Sequence, residues 1–264
     1  MEIEVAFSGS GFKLPALVGA LNALHDIGYK INAVAGTSGG SIVSALYATG
    51  MSPADMKDLM IRTDFTKLMP WKWWGWWNGL SNSDNLLKFM EDHTDKKLCK
   101  DTHISFKAIA TNLSLEQPFV FSTEMTPEVS VAFASVCSAS IPFIYQSRSY
   151  QGFLLADGGM TNNLPVSHLN KKVNRIGIEL FSTVTDTSNM SFIAYIGRLI
   201  DTMLTSNERT HIYLAKQEKA TIIPVNTFGI SMLDRTMSFD DRTKLYESGY
   251  NAVLDKMGGL IDKI

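Results

Sequence analysis

Ser38 lies in the run Gly36-Thr37-Ser38-Gly39-Gly40, between the short apolar segment 31–35 and the helix-like stretch 41–48. A G-x-S-x-G at a strand-to-helix turn leaves a serine hydroxyl exposed on a sharply bent backbone, the setting of a nucleophile. A serine attacks only when a neighbouring base takes its proton. The chain offers two kinds of base. Histidines stand at 25, 93, 103, 168 and 211, and Ser38, Asp157 and His168 or His211 occur in the order of one known triad, although no histidine sits in a recognisable turn. Asp157 ends an apolar stretch and is followed by Gly158-Gly159. That position suits a base at the edge of a parallel sheet, and it suits equally an Asp-Gly turn between strands; the residues alone leave both open. The third element is Ser8-Gly9-Ser10-Gly11-Phe12-Lys13, directly after the first strand. Amides of such a turn can hold a developing oxyanion. A dinucleotide loop competes with that reading, but its G-x-G-x-x-G would need glycine where Leu14 stands.

The segments that must carry these residues alternate between strand and helix, which predicts an α/β fold with a mostly parallel sheet covered on both faces. Strands are predicted at 2–7, 31–35, 104–111, 119–122, 150–156, 175–180 and 221–225. Pro15 and Gly28 bracket the first helix, and Leu17, Leu21 and Leu24 recur within it at helical spacing. Ser52-Pro53 caps a helix that runs to Arg62. Further helices are predicted at 83–91, 127–137, 192–216 and 239–256, and residues 1–264 read as one domain.

Taken together and in this order, the glycine-rich turn, the serine elbow and Asp157-Gly158-Gly159 resemble the patatin-like phospholipases. Ser138-Ala139-Ser140-Ile141-Pro142-Phe143 and the run from Met160 to Pro165 are similar to segments of that family before and around its catalytic aspartate. The resemblance covers residues 3 to 180 and implies a three-layer α/β/α sandwich. It also implies a Ser38-Asp157 dyad without a catalytic histidine, and an oxyanion hole at Gly9, Ser10 and Gly11. Lys13, Gly36, Gly39, Gly40, Gly158 and Gly159 become supporting motif positions, and no metal or organic cofactor is needed. The family usually has glycine where Ser10 and Leu14 stand, so a backbone angle reserved for glycine would be strained there.

All five tryptophans fall within seven residues, as Trp71, Trp73, Trp74, Trp76 and Trp77. So many indoles in one stretch cannot all enter a small interior, and indoles favour the membrane interface. Residues 65–80 are therefore expected to contact a lipid surface or to lid an acyl channel, with a structural apolar cluster or a protein docking patch as the alternatives. With 45% apolar and 19% charged residues the composition is that of a globular chain. A net charge of −2 gives no reason to expect nucleic acid, and Cys99 and Cys137 match neither a zinc spacing nor a disulfide framework. The first seven residues alternate as a strand and carry acid where a signal peptide carries base, and no apolar run reaches the ~18 residues of a transmembrane helix. The expectation is a cytoplasmic or peripheral-membrane protein, with secretion without a signal also open and no oligomeric state readable. The expected function is a phospholipase A type lipid acyl hydrolase. A soluble esterase or thioesterase, or a non-catalytic lipid-binding protein of the same fold, are the other readings.

Overall fold

In the first strand, β1 (Glu2–Phe7), side chains alternate between two interiors. Ile3, Val5 and Phe7 enter the larger core, whereas Ala6 joins Ala35, Leu164, Val166, Ile212 and Ile222 in a smaller one on the opposite face of the sheet. The computed structural model describes residues 1–68, 70, 81–182 and 192–261. After β1 come α1 (Leu14–Asp26), β2 (Lys30–Thr37), α2 (Gly39–Ala48), α3 (Pro53–Arg62), α4 (Phe65–Leu68) and α5 (Asp84–His93). These are followed by β3 (Ser105–Asn112), β4 (Gln117–Ser122), α6 (Val131–Ser138), β5 (Arg148–Tyr150) and β6 (Phe153–Asp157). The chain continues through β7 (Asn174–Phe181), α7 (Phe192–Gln217), β8 (Thr221–Asn226) and α8 (Phe239–Ile261).

The strands form a single sheet. Its centre, in the order β3, β2, β1, β7, β8, is parallel throughout. Strand β4 pairs antiparallel with the outer edge of β3, and β6, itself paired with β5, joins the end of the edge that β2 occupies. Helices α1, α2 and α8 contribute to the large core, with α7 against the smaller one, so the three-layer α/β/α sandwich expected from the sequence is the fold. Helix α1 is buried on almost every side because α8 crosses it closely: a β-carbon on Gly19 would stand 2.0 Å from the Tyr246 carbonyl, and one on Gly249 1.9 Å from that of Ala16.

Most predicted elements lie within a residue or two of their observed ends, and α3 matches at both, its Ser52 hydroxyl accepting from the Asp55 amide. The last helix runs five residues past its predicted end, to Ile261, and two further predictions need correction. The strand expected over 150–156 is a hairpin, β5 and β6, because Gln151 and Gly152 both adopt positive φ (49° and 82°), the geometry of a two-residue turn. The helix expected over 127–137 begins only at Val131. Ser130 caps it, while the carbonyls of Pro127 and Val129 accept from Lys100 and Cys99 and are thereby held out of the helix.

Candidate functional site

The edge of β3 determines where Ser38 and Asp157 meet. Strand β2 pairs with the first part of β3 and ends with Thr37 opposite Ile109. Strand β6 then pairs, antiparallel, with the remainder and brings Asp157 opposite Ala110. Two segments far apart in sequence therefore run toward each other along one strand and present Ser38 and Asp157 beside consecutive residues. The junction is tightly made. A β-carbon on Gly158 would lie 1.9 Å from the Ile109 carbonyl, and the Thr111 hydroxyl donates to the Asp157 carbonyl at 2.8 Å.

Ser38 has φ 52° and ψ −124°, a conformation that costs a non-glycine residue about 1–3 kcal/mol. Its surroundings fix it there. The Ser38 amide donates to Ser138 Oγ at 2.9 Å, and that hydroxyl in turn donates to the Ile109 carbonyl. Ser41 Oγ donates to the Ser38 carbonyl at 2.6 Å. The neighbouring glycines permit close approach: β-carbons on Gly36 and Gly40 would meet the carbonyls of Gly40 and Phe7 at 2.2 and 2.3 Å. Helix α2 starts at Gly39, so the positive end of its dipole lies at the Ser38 side chain.

Asp157 is 1% exposed. Its Oδ1 accepts from the Gly159 amide at 2.8 Å, and Oδ2 has no hydrogen-bond partner among the described residues. Burial pushes the carboxyl up to about 6, a rise that the adjacent Ser38 hydroxyl and the Gly159 amide partly offset. The Ser38 hydroxyl thus adjoins the carboxylate. A buried base with an open acceptor beside a strained serine can take a proton near neutral pH.

The glycine-rich turn packs against this pair. A β-carbon on Gly39 would meet Ser10 Oγ at 2.0 Å, and one on Gly9 would lie 3.6 Å from Ser38 Cβ. The Gly9 amide donates to the Asn163 carbonyl at 3.0 Å and that of Phe12 to Met232 at 2.9 Å. The amides of Ser10 and Gly11 have no acceptor among the described residues. Of the three positions expected to supply oxyanion donors, Gly9 therefore serves by its missing side chain. Neither departure from the family pattern strains the backbone: positive φ falls at Gly11 (54°) and not at Ser10, and Leu14 opens a regular helix. Lys13 is buried, with Nζ 3.5 Å from Thr227 Oγ1. Burial holds its pKa down against the opposing pull of Asp201 and Glu208.

Beside Ser38 opens a narrow apolar crevice of about 30 Å³, whose walls include Leu14, Ile42, Phe65, Leu86, Ile141 and Leu233. Its lining suits a hydrocarbon chain. Neither His168 nor His211 is hydrogen-bonded to Ser38 or Asp157; burial, and after it Lys107 and His211, hold the His168 pKa down. The described residues contain no cluster of His, Cys, Asp or Glu able to hold a metal, and both cysteines are buried free thiols. No helix among the described residues is long and apolar enough to cross a membrane. Trp71, Trp73, Trp74, Trp76 and Trp77 lie outside the described residues.

Three polar residues that shape the site carry no mark of that role in their local sequence. Ser138 and Asn163 sit in segments already singled out, but nothing in their spacing showed what their side chains touch. Glu208 could have been noticed, since it occupies the buried stripe of α7 with Leu204 and Ile212, where an acid is out of place.

A strained serine elbow, a buried aspartate and a glycine-rich turn thus converge at one end of the sheet of a three-layer sandwich. A profile described as patatin-like phospholipase matches residues 5–170, and the chain belongs to that family. It is accordingly of lipid-hydrolase class. An uncharacterized protein of Acanthamoeba polyphaga mimivirus, R571, is 27% identical over 98% of this chain and 95% of its own length. A probable lipid hydrolase of Invertebrate iridescent virus 6, 463L, is 27% identical over 61% of each chain. Among solved structures, VipD from Legionella pneumophila superposes with a TM-score of 0.69 at 15% identity, over 98% of this chain and 67% of VipD. The type III effector ExoU does so with 0.58 at 14% identity, over 97% of this chain and about half of ExoU, 52%. At these identities the two structures are likenesses of fold.

Proposed function

We propose that the protein is a phospholipase A type acyl hydrolase that cleaves acyl esters of glycerophospholipids through a Ser38-Asp157 dyad. The observation that carries this reading is the pairing of a strained Ser38 with a buried Asp157 whose Oδ2 has no partner among the described residues, beside an apolar pocket. Asp157 takes the hydroxyl proton as Ser38 Oγ attacks the ester carbonyl. The tetrahedral oxygen is held by the amides of Ser10 and Gly11 at the positive end of α2. Asp157 returns the proton to the departing lysolipid oxygen, leaving the acyl group on Ser38. Water then repeats the sequence and frees the fatty acid. No residue in this cycle calls for a metal or an organic cofactor.

The Trp71–Trp77 stretch is the sequence's candidate for contact with the bilayer that holds the substrate. Fluorophosphonate labelling, with lipid product analysis on mixed-lipid vesicles, tests the whole reading. The expected result is labelling and fatty-acid release by the parent, both lost in Ser38→Ala. Labelling that survives Ser38→Ala removes the nucleophile assignment. Turnover of soluble short-chain esters with none on vesicles favours the small-substrate esterase reading. Unchanged partitioning onto vesicles by a variant with alanine at Trp73, Trp74, Trp76 and Trp77 refutes the bilayer role.

A further inference from the structure

Asn163 stands between the oxyanion turn and the aspartate, and its three polar groups point three ways. Its backbone carbonyl accepts from the Gly9 amide at 3.0 Å. Its side-chain Nδ2 donates to Glu208 Oε2 at 2.9 Å, a contact in which both residues are buried, at 3% and 4% exposure. With the nitrogen committed to a carboxyl group, Oδ1 must face the other way. There it has no partner among the described residues, and a buried unpaired acceptor costs free energy unless a ligand satisfies it.

Two constructions locate that oxygen. A β-carbon on Gly9 would lie 2.2 Å from Asn163 Oδ1 and 3.6 Å from Ser38 Cβ. A β-carbon on Gly159 would lie 2.9 Å from Asn163 Oδ1 and 3.0 Å from Asp157 Oδ1. The amide oxygen therefore lies within about 6 Å of both Asp157 Oδ1 and Ser38 Cβ. Asp157 Oδ2 and Asn163 Oδ1 are both buried acceptors without a partner among the described residues. Two such acceptors match a molecule with two O–H groups.

We propose that Asn163, oriented by Glu208, holds the water that hydrolyses the acyl-enzyme. The proposal rests on the Ser38-Asp157 reading above and assigns its second half-reaction. The water donates one O–H to Asn163 Oδ1 and the other to Asp157. Its oxygen forms a bond to the acyl carbon as Asp157 takes the proton, and the tetrahedral intermediate then breaks its bond to Ser38 Oγ. The proton passes from Asp157 to Oγ, and a fatty acid and free Ser38 result. Asn163 touches the reacting water and is catalytic; Glu208 acts through Asn163 and is a positioning residue. Burial raises the Glu208 carboxyl to about 8, with Glu179 and Asp201 adding to the rise and Asn163 and Lys13 opposing it. Near neutral pH Glu208 is therefore largely uncharged and resembles a glutamine.

The experiment separates acylation from deacylation with p-nitrophenyl butyrate. Burst and steady-state release of p-nitrophenolate are followed in the parent, Asn163→Ala, Glu208→Leu and Glu208→Gln, with the intact mass of the acyl adduct and the rate of fluorophosphonate labelling. Asn163→Ala and Glu208→Leu are expected to label and to burst as the parent does, yet to turn over about 100-fold more slowly, with butyryl-Ser38 persisting. Glu208→Gln, which keeps an acceptor for Nδ2, is expected to recover most of the rate lost in Glu208→Leu. A post-burst rate equal to the parent's in Asn163→Ala overturns the proposal, as does an equal fall in burst and steady state in a variant that still labels. If Asn163→Ala loses labelling along with its fold, the two Glu208 variants decide by the same readout. A parent that neither labels nor forms an adduct on Ser38 sinks the dyad reading itself, a result distinct from a failure confined to deacylation.

Discussion

Replacing Asp157 by asparagine is expected to remove turnover and, at neutral pH, to strengthen the fold. Burial lifts the carboxyl from 3.8 to about 6, roughly two pH units. At about 1.4 kcal/mol per unit, the folded state is penalised by about 3 kcal/mol once the group ionises. The folded chain binds this proton more tightly than the unfolded one. Its stabilising effect is therefore complete below pH 3.8 and is lost as pH rises through 6. Asparagine never ionises, and its Oδ1 can still accept from the Gly159 amide, which meets Asp157 at 2.8 Å. At pH 7.5 Asp157→Asn should exceed the parent in stability by about 3 kcal/mol, or about 6–12 °C in Tm for a chain of this size. At pH 4.0 the gap should nearly close. Urea denaturation at the two pH values measures it. A variant less stable than the parent at pH 7.5, or a gap that does not change with pH, refutes the claim that Asp157 carries a desolvated charge.

The same carboxyl must be ionised to act as base, so kcat/KM on a soluble ester should rise about tenfold per pH unit up to about 6 and level off above it; a flat profile from pH 4.5 to 7 removes Asp157 from that role. Ser38→Gly should abolish turnover yet be more stable than Ser38→Ala by about 1 kcal/mol, because only glycine adopts φ 52°, ψ −124° without strain; equal denaturation midpoints would contradict the strained elbow. Leu86→Trp should shorten the apolar pocket. Losing room for two methylenes at ~0.8 kcal/mol each should cost decanoyl esters about tenfold in kcat/KM while sparing butyryl esters, and an unaltered chain-length preference would place the acyl chain elsewhere.

Much of this architecture was legible because it rests on local rules. Strand β1 and helix α3 match their predicted bounds since alternation and a Ser-Pro cap are signals carried by adjacent residues. The three motifs were legible for a related reason: sharp turns demand glycine, and glycine is visible. The hairpin at Gln151-Gly152 was missed because glutamine in a left-handed conformation leaves no compositional mark. The late start of α6 was missed because it depends on the pairing of 127–129 with Cys99 and Lys100, a contact between distant segments. The polar supports of the site fail for the same reason. Ser138 lies 100 residues from the Ser38 amide it accepts from, and Glu208 lies 45 residues from Asn163. Only the folded chain shows that their side chains meet.

The seating of Asp157 on β3 sets how this site can be lost. Strand β6 meets β3 through three residue pairs, Asp157 to Leu155 against Ala110 to Asn112, whereas Ser38 is carried by the longer parallel ladder of β2. A register slip of one residue in β6 would turn the carboxylate to the opposite face of the sheet and leave the elbow untouched. An insertion or deletion in the β5–β6 hairpin could thus yield a folded relative with an intact G-x-S-x-G and no base. Under the proposed dyad the serine elbow alone would not preserve the chemistry; the short strand across from Ala110 would decide it.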